Sequence, residues 1–228
     1  MTVNEKIPWK RLSVEAAAIV GSILLAFAID ALWEERQDRL MERDDLVRLH
    51  AEFIRNRERM GEMRDAGKAE IASEEMYELL ADHVGQDLPV DVPNSTLRPV
   101  QATPTFDAVT PVLDGLILSG RLENIRDREV LFAVHYWQRH LQQVEETELN
   151  ARKLVYEQLV PALVRRGSMG PLFTGGDPDG ITAVTVDEEL LGLVGHRVDR
   201  TKMVIRVLDE LDQAANDLIV AVEHALAE

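Results

Sequence analysis

The sequence predicts an all-α protein: one N-terminal transmembrane helix continuous with a long helix, then an antiparallel helical bundle. Three observations carry that prediction. Aromatic residues are few, at 5%, while charged residues make up 29% of the 228 positions, a mix that favours helices over a β-sandwich. An apolar stretch near the start is flanked by charges. The remainder holds long runs with apolar residues at alternating 3 and 4 spacing, the signature of an amphipathic helix.

Composition also excludes some functions. The formal net charge is −16, so nucleic acid is not expected as a partner: its phosphates would be repelled. The chain has no cysteine. Disulfides, thiolate catalysis, zinc–sulfur sites and iron–sulfur clusters are therefore out of reach.

Residues 1–11 form a short basic tail carrying Lys6, Lys10 and Arg11. The transmembrane helix is expected over residues 12–33. The run from Ala16 to Ile29 is uncharged, with Glu15 and Asp30 at its edges. Leu12 to Trp33 spans about 33 Å at roughly 1.5 Å per residue, enough to cross a bilayer. Trp9 and Trp33 fall where interfacial aromatic belts form. Ala26-Phe27-Ala28 has the pattern of an export-signal cleavage site, but Glu15 sits against the apolar run and the helical pattern continues through Trp33. A retained anchor is the better reading. Ala18, Ser22 and Ala26 follow i+4 spacing, with Ala17 and Gly21 beside them. Small-residue ridges let helices approach closely in lipid, so Ala17, Ala18, Gly21, Ser22 and Ala26 make a candidate packing face for a protein partner or a second copy. Arg36, Arg39 and Arg43 nearly balance the positive charges before the span. The net-positive tail tips the expected orientation towards a cytoplasmic N-terminus with the bundle outside.

Residues 34–82 read as one long amphipathic helix. Leu46, Leu49, Phe53, Met60 and Met63 hold a 3-4 seam, with Asn56 in its polar slot. Arg55, Arg57, Arg59 and Arg64 alternate with acids and read as a solvated face. Residues 83–105 contain Pro89, Pro93, Pro99 and Pro104 and read as an extended connection. The triplet Asn94-Ser95-Thr96 is an N-glycosylation acceptor only on a eukaryotic secretory route. Residues 106–228 hold the remaining helices. A short one begins at Pro111 and ends before Gly120, which suits a left-handed cap. Asp127 suits the N-cap of a long helix that Pro161 should kink or end. Its seam, from Val130 through Trp137 to Val155, has Glu148 in a core slot. A flexible Gly-rich loop covers 167–180. The last helix starts near Asp187, and its apolar face carries Thr201 and Asp212 in core slots. A second apolar row, Val204, Val207, Leu211, Ala214 and Leu218, widens that face to suit a globular bundle.

Two blocks resemble an uncharacterised bacterial family of single-pass membrane proteins with a C-terminal helical domain. One is Val14-Glu15 with Asp30-Ala31-Leu32-Trp33-Glu34-Glu35-Arg36, followed by Leu49-His50-Ala51-Glu52-Phe53. The other runs from Ser119 to Asp127 and on to Glu129 and Tyr136-Trp137. The resemblance implies the architecture and a bacterial source, and with the anchor the expected location is the bacterial inner membrane. It supplies no catalytic residues.

Chemical signatures are sparse. His135 and His140 are five apart and face different sides of one helix. Neither Glu-x-x-His nor His-Glu-x-x-His occurs. His196 and Asp199 are three apart, but no further ligand accompanies them. Asp177-Pro178-Asp179-Gly180 puts Glu188 at position twelve of a calcium loop, yet Ile181 and Thr182 stand where Asp/Asn and Gly are needed. No nucleophile elbow, phosphate-binding loop or dinucleotide fingerprint is present. No cofactor, metal site or catalytic residue is expected. Asn56, Glu148, Thr201 and Asp212 remain as polar core-slot candidates, which either set helix register or build a site. The functional expectation is a membrane-anchored, non-enzymatic interaction or scaffold protein, a subunit of or accessory to a membrane complex. The alternative is an extracytoplasmic ligand-binding or sensory bundle acting on a membrane partner. An enzyme using buried carboxylates ranks third.

Overall fold

The computed structural model describes residues 9–63, 67–86, 88–167 and 179–227, with the side chains of 9–14, 16, 18, 62, 67 and 68 outside that set. The protein is all-α with one small β-ribbon. In order, the elements are α1 (Trp9–Met63), α2 (Gly67–Ala81), β1 (Val90–Pro93), α3 (Asn94–Gln101) and α4 (Pro111–Leu118). A 3₁₀ turn (Arg121–Asn124), α5 (Arg128–Lys153), a π-helical turn (Leu154–Leu159), α6 (Val160–Arg166), β2 (Ile181–Val184) and α7 (Glu188–Ala227) complete it. The chain divides into two compact units, residues 1–47 and residues 48–228.

In the first unit, α1 carries the apolar stretch and then a charged one, where Arg39 pairs with Glu35 at 2.5 Å one turn away. Ile19, Val20, Ile23, Leu24, Leu25, Phe27, Ile29, Leu32 and Trp33 are all at least half exposed. At about 100° per residue these side chains point in every direction around the helix. Among the described residues, no helix is long and apolar enough to cross a membrane. The described uncharged run, Ile19 to Ile29, covers only about 16 Å at 1.5 Å per residue. Five of the residues in the span expected over 12–33 (Leu12, Ser13, Val14, Ala16 and Ala18) have side chains outside the described set. The described helices therefore do not by themselves show a membrane span.

The second unit is an antiparallel bundle built around α7. Arg57 reaches Asp212, and His50 reaches Glu223, so this part of α1 runs antiparallel to the C-terminal half of α7. Glu74 pairs with Lys202, and Tyr77 lies over Gly195, which sets α2 against the N-terminal half. α5 runs antiparallel along α7, with His140 beside Glu210. The 3-4 seams become apolar core. One part includes Leu49, Phe53 and Met60 of α1, Val134 and Trp137 of α5, and Leu211 and Leu218 of α7, all buried. There the Phe53 and Trp137 rings meet edge to face at 4.7 Å, worth about 0.5–1.5 kcal/mol beyond their buried area. Another part packs Met76, Leu80, Val92, Leu97, Leu163, Val184 and Leu190.

Several local expectations hold. α4 starts at Pro111, and Gly120 has φ 71°. Asp127 caps α5 by accepting from the N–H groups of Glu129 (2.7 Å) and Val130 (3.3 Å). Asp187 caps α7 through the N–H of Leu190 at 2.8 Å.

The long helix expected over 34–82 is helical through Met63 in α1 and over Gly67–Ala81 in α2, with residues 64–66 between them outside the described set. Other expectations need correction. The connection at 83–105 is not extended throughout. Asn94–Gln101 is helical because Leu97 and Val100 fall on one face and bury, while Asn94 also packs inward. Its side chain accepts from the Thr182 hydroxyl at 2.7 Å in a buried site, so the glycosylation triplet is not presented to a modifying enzyme. The helix runs on past Pro161 to Arg166, close to the end expected near Gly167. Pro161 lacks the N–H that the Glu157 carbonyl would receive, and the wider π turn immediately before it absorbs the mismatch.

The antiparallel ribbon of β1 and β2, with Val90 opposite Val184 and Pro93 opposite Ile181, was not expected. Gly167 bridges to Val184, and a Cβ there would lie 2.8 Å from the Ala183 carbonyl oxygen. Most of the Gly-rich loop, including Asp177 and Pro178 of the calcium-loop candidate, lies outside the described residues.

Candidate functional site

Residues 102–110 have no regular secondary structure, so their backbone groups need partners from elsewhere. Polar side chains on the surrounding helices supply them. Asn56 is fully buried and makes both bonds a neighbouring strand would make: Oδ1 accepts from the Val109 N–H, and Nδ2 donates to the Val109 carbonyl, each at 2.8 Å. Glu148 Oε1 accepts from the Phe106 N–H at 2.8 Å. Glu52 caps the start of α4, its two oxygens accepting from Val112 N–H (2.6 Å) and Leu113 N–H (3.0 Å). Arg197 donates from Nε to the Val100 carbonyl at 3.0 Å and from Nη2 to the Ala102 carbonyl at 2.7 Å. Three helices thus hold one irregular strap at its two ends and its middle.

This arrangement leaves charges in poorly hydrated surroundings. Glu148 is 5% exposed, and burial pushes its carboxyl up to about 7, against the opposing effect of the Phe106 N–H. Burial also raises Glu52, with the Val112 and Leu113 N–H groups resisting. Arg197 is 3% exposed, and burial lowers it to about 10. Arg197 has no carboxylate partner among the described residues.

Glu148 and Arg197 line the same cavity, of about 260 Å³. Met63, Ala151, Val204, Ile205 and Leu208 give it an apolar wall, Thr201 adds a hydroxyl, and Glu70 and Asp209 add carboxylates. The Thr201 hydroxyl donates to the Arg197 carbonyl at 2.9 Å, which keeps it off the strap. Val204, Ile205 and Leu208 are only half-buried. They belong to the apolar rows of α7, and at this level those rows face the cavity.

The four polar core slots therefore separate. Glu148 and Thr201 share the cavity. Asn56 holds the strap. Asp212 is elsewhere: its Oδ1 accepts from Arg57 Nε at 3.0 Å, while Arg57 Nη1 donates to Asn216 at 2.8 Å. Arg57 was expected on a solvated face, but an acid on α7 draws it inward. Of the candidate packing face, Ala17, Gly21, Ser22 and Ala26 are exposed, and the side chain of Ala18 lies outside the described residues. A Cβ on Gly21 would meet nothing within 4 Å. The Ser22 hydroxyl donates to the Ile19 carbonyl at 2.8 Å.

Sequence reasoning singled out neither Glu52 nor Arg197 as a polar core residue. Arg197 did leave a signal. It stands three after Val194 and four before Thr201, squarely on the seam.

Among the described residues no group of three or more His, Asp or Glu could hold a metal ion. His196 accepts from Arg200 Nε at 3.0 Å, and His140 packs edge to face on Tyr136 at 4.4 Å. The chain matches no protein-family model, no curated protein and no solved structure.

Proposed function

We propose that this is a membrane-anchored, non-enzymatic interaction protein, a subunit of or accessory to a membrane complex, with its bundle in the bacterial periplasm. The observation that carries the anchor is the surface of α1 from Ile19 to Trp33. Its nine large apolar side chains are exposed on all faces of the helix. Burying each is worth roughly 1.5–3 kcal/mol, so leaving them in water costs on the order of 10 kcal/mol. A helix apolar all round belongs in lipid or in a protein core. The uncharged sequence from Ala16, extended back to Leu12, supplies the length for lipid. The small residues Ala17, Ala18, Gly21, Ser22 and Ala26 would then meet a partner helix.

Alkaline washing of native membranes tests the anchor. The chain should stay with the membrane pellet. Release into the supernatant would overturn the proposal.

The cavity beside Glu148 and Arg197 favours a second reading, a ligand-binding bundle that acts on a membrane partner. Buried charges without an ion-pair partner, facing an apolar wall, are a common feature of small-molecule sites.

A further inference from the structure

The cavity presents two buried, oppositely charged groups that do not pair with each other. Arg197 has two of its nitrogens bonded to the Val100 and Ala102 carbonyls, and its Nη1 has no hydrogen-bond partner among the described residues. Glu148 has Oε1 bonded to Phe106, and its Oε2 has no such partner. A buried charge normally finds a counter-charge, because desolvation without one is costly. Here burial is the leading influence on both groups; for Glu148 the Phe106 N–H and the charge of Arg152 oppose it without overcoming it, and for Arg197 nothing opposes it. The cavity thus has one open donor and one open acceptor. Apolar Val204, Ile205 and Leu208 line the same cavity.

We propose that this cavity binds a small zwitterion with an apolar body, of the class of a free apolar amino acid, its carboxylate on Arg197 and its ammonium on Glu148. The proposal rests on the ligand-binding reading and is independent of the anchor. A plain organic anion would satisfy Arg197, but it would enter against Glu70, Asp209 and a net charge of −16. A plain amine would leave Arg197 uncompensated. A zwitterion answers both groups and carries no net charge. The volume of about 260 Å³ is just below the usual range for small-molecule pockets, which limits the ligand to a compact one.

Calorimetric titration of the full chain in mild detergent tests this with leucine and phenylalanine as probes. Phenethylammonium, which lacks the carboxylate, and 3-phenylpropanoate, which lacks the ammonium, are the comparison compounds. Leucine or phenylalanine should bind at least tenfold tighter than either comparison compound, since a hydrogen bond to a charged group is worth about 1.5–3 kcal/mol. Glu148→Gln, which keeps the bond to Phe106, should weaken the amino acid tenfold or more and leave 3-phenylpropanoate unweakened. Leu208→Trp, at a half-buried wall position, should abolish binding without unfolding the bundle, as read by circular dichroism. If neither amino acid binds at millimolar concentration, the zwitterion proposal is overturned; if the comparison compounds also fail, the ligand-binding reading falls with it. If phenethylammonium or 3-phenylpropanoate binds as well as phenylalanine, the cavity is a ligand site but the zwitterion class is wrong.

Discussion

Replacing Glu148 with glutamine should make the protein more stable at alkaline pH and change little in acid. Burial pushes the folded carboxyl up to about 7, from an ordinary glutamate value of 4.5. Between those two values the folded chain holds a proton that the unfolded chain has already released. Stability from this group is therefore fully present below about pH 4.5 and is lost as pH rises through about 7. The displacement of roughly 2.5 pH units, at 1.36 kcal/mol per unit, sets an upper limit of about 3 kcal/mol. Glutamine keeps an oxygen for the Phe106 N–H and carries no charge, so it escapes the loss. Urea denaturation of the full chain and of Glu148→Gln, followed by circular dichroism at about pH 5, 6, 7 and 8, gives the difference directly. It should lie within about 1 kcal/mol of zero at pH 5 and grow to as much as 3 kcal/mol in favour of glutamine at pH 8. A difference independent of pH would refute the reasoning. A variant less stable than wild type at pH 8 would too, because it would mean the carboxylate is compensated, by Arg197 or by an ordered cation.

Other predictions follow from the strap and the core. Asn56→Leu removes both partners of Val109, each worth about 1–3 kcal/mol when buried. It should cost about 3 kcal/mol by the same denaturation assay, and hydrogen exchange should quicken across residues 102–110. Trp137→Ala empties the apolar core beside Phe53 and should cost about 3–5 kcal/mol in urea denaturation. Asp127→Ala removes the cap of α5 and should cost about 1 kcal/mol, seen as a lower melting temperature. Arg57→Met should cost about 1 kcal/mol, because its pair with Asp212 is only partly shielded from solvent. A double-mutant cycle with Asp212→Asn would isolate that coupling.

The helices were legible because their signals are local. Proline at 111, glycine at 120 and aspartate at 127 and 187 each act within one turn of their own position. The 3-4 spacing likewise marks a buried face without knowledge of what covers it. The polar slots Asn56 and Glu148 could be found as interruptions of such a face, but not explained. Their partners are backbone groups 42 to 53 residues away in sequence, on a segment with no periodicity of its own. Glu52 was hidden because it reads as an ordinary acid on a charge-rich helix, and Arg197 because it stands among other arginines. The β-ribbon was missed since each strand has only four residues, and Pro93 reads as a breaker. It sits at the end of β1, beside α3, where the ladder stops. The apolar surface of α1 was legible throughout.

The measurement that tests the account most directly is affinity purification of the tagged full chain from its native membranes in mild detergent, with mass spectrometry of what co-elutes. The account predicts an integral membrane protein, or a second copy of the chain, recovered in stoichiometric amount. That partner should be lost when Gly21→Leu blocks the small-residue face. Recovery of the chain alone as a monomer, with Gly21→Leu indistinguishable from wild type, would contradict the interaction reading.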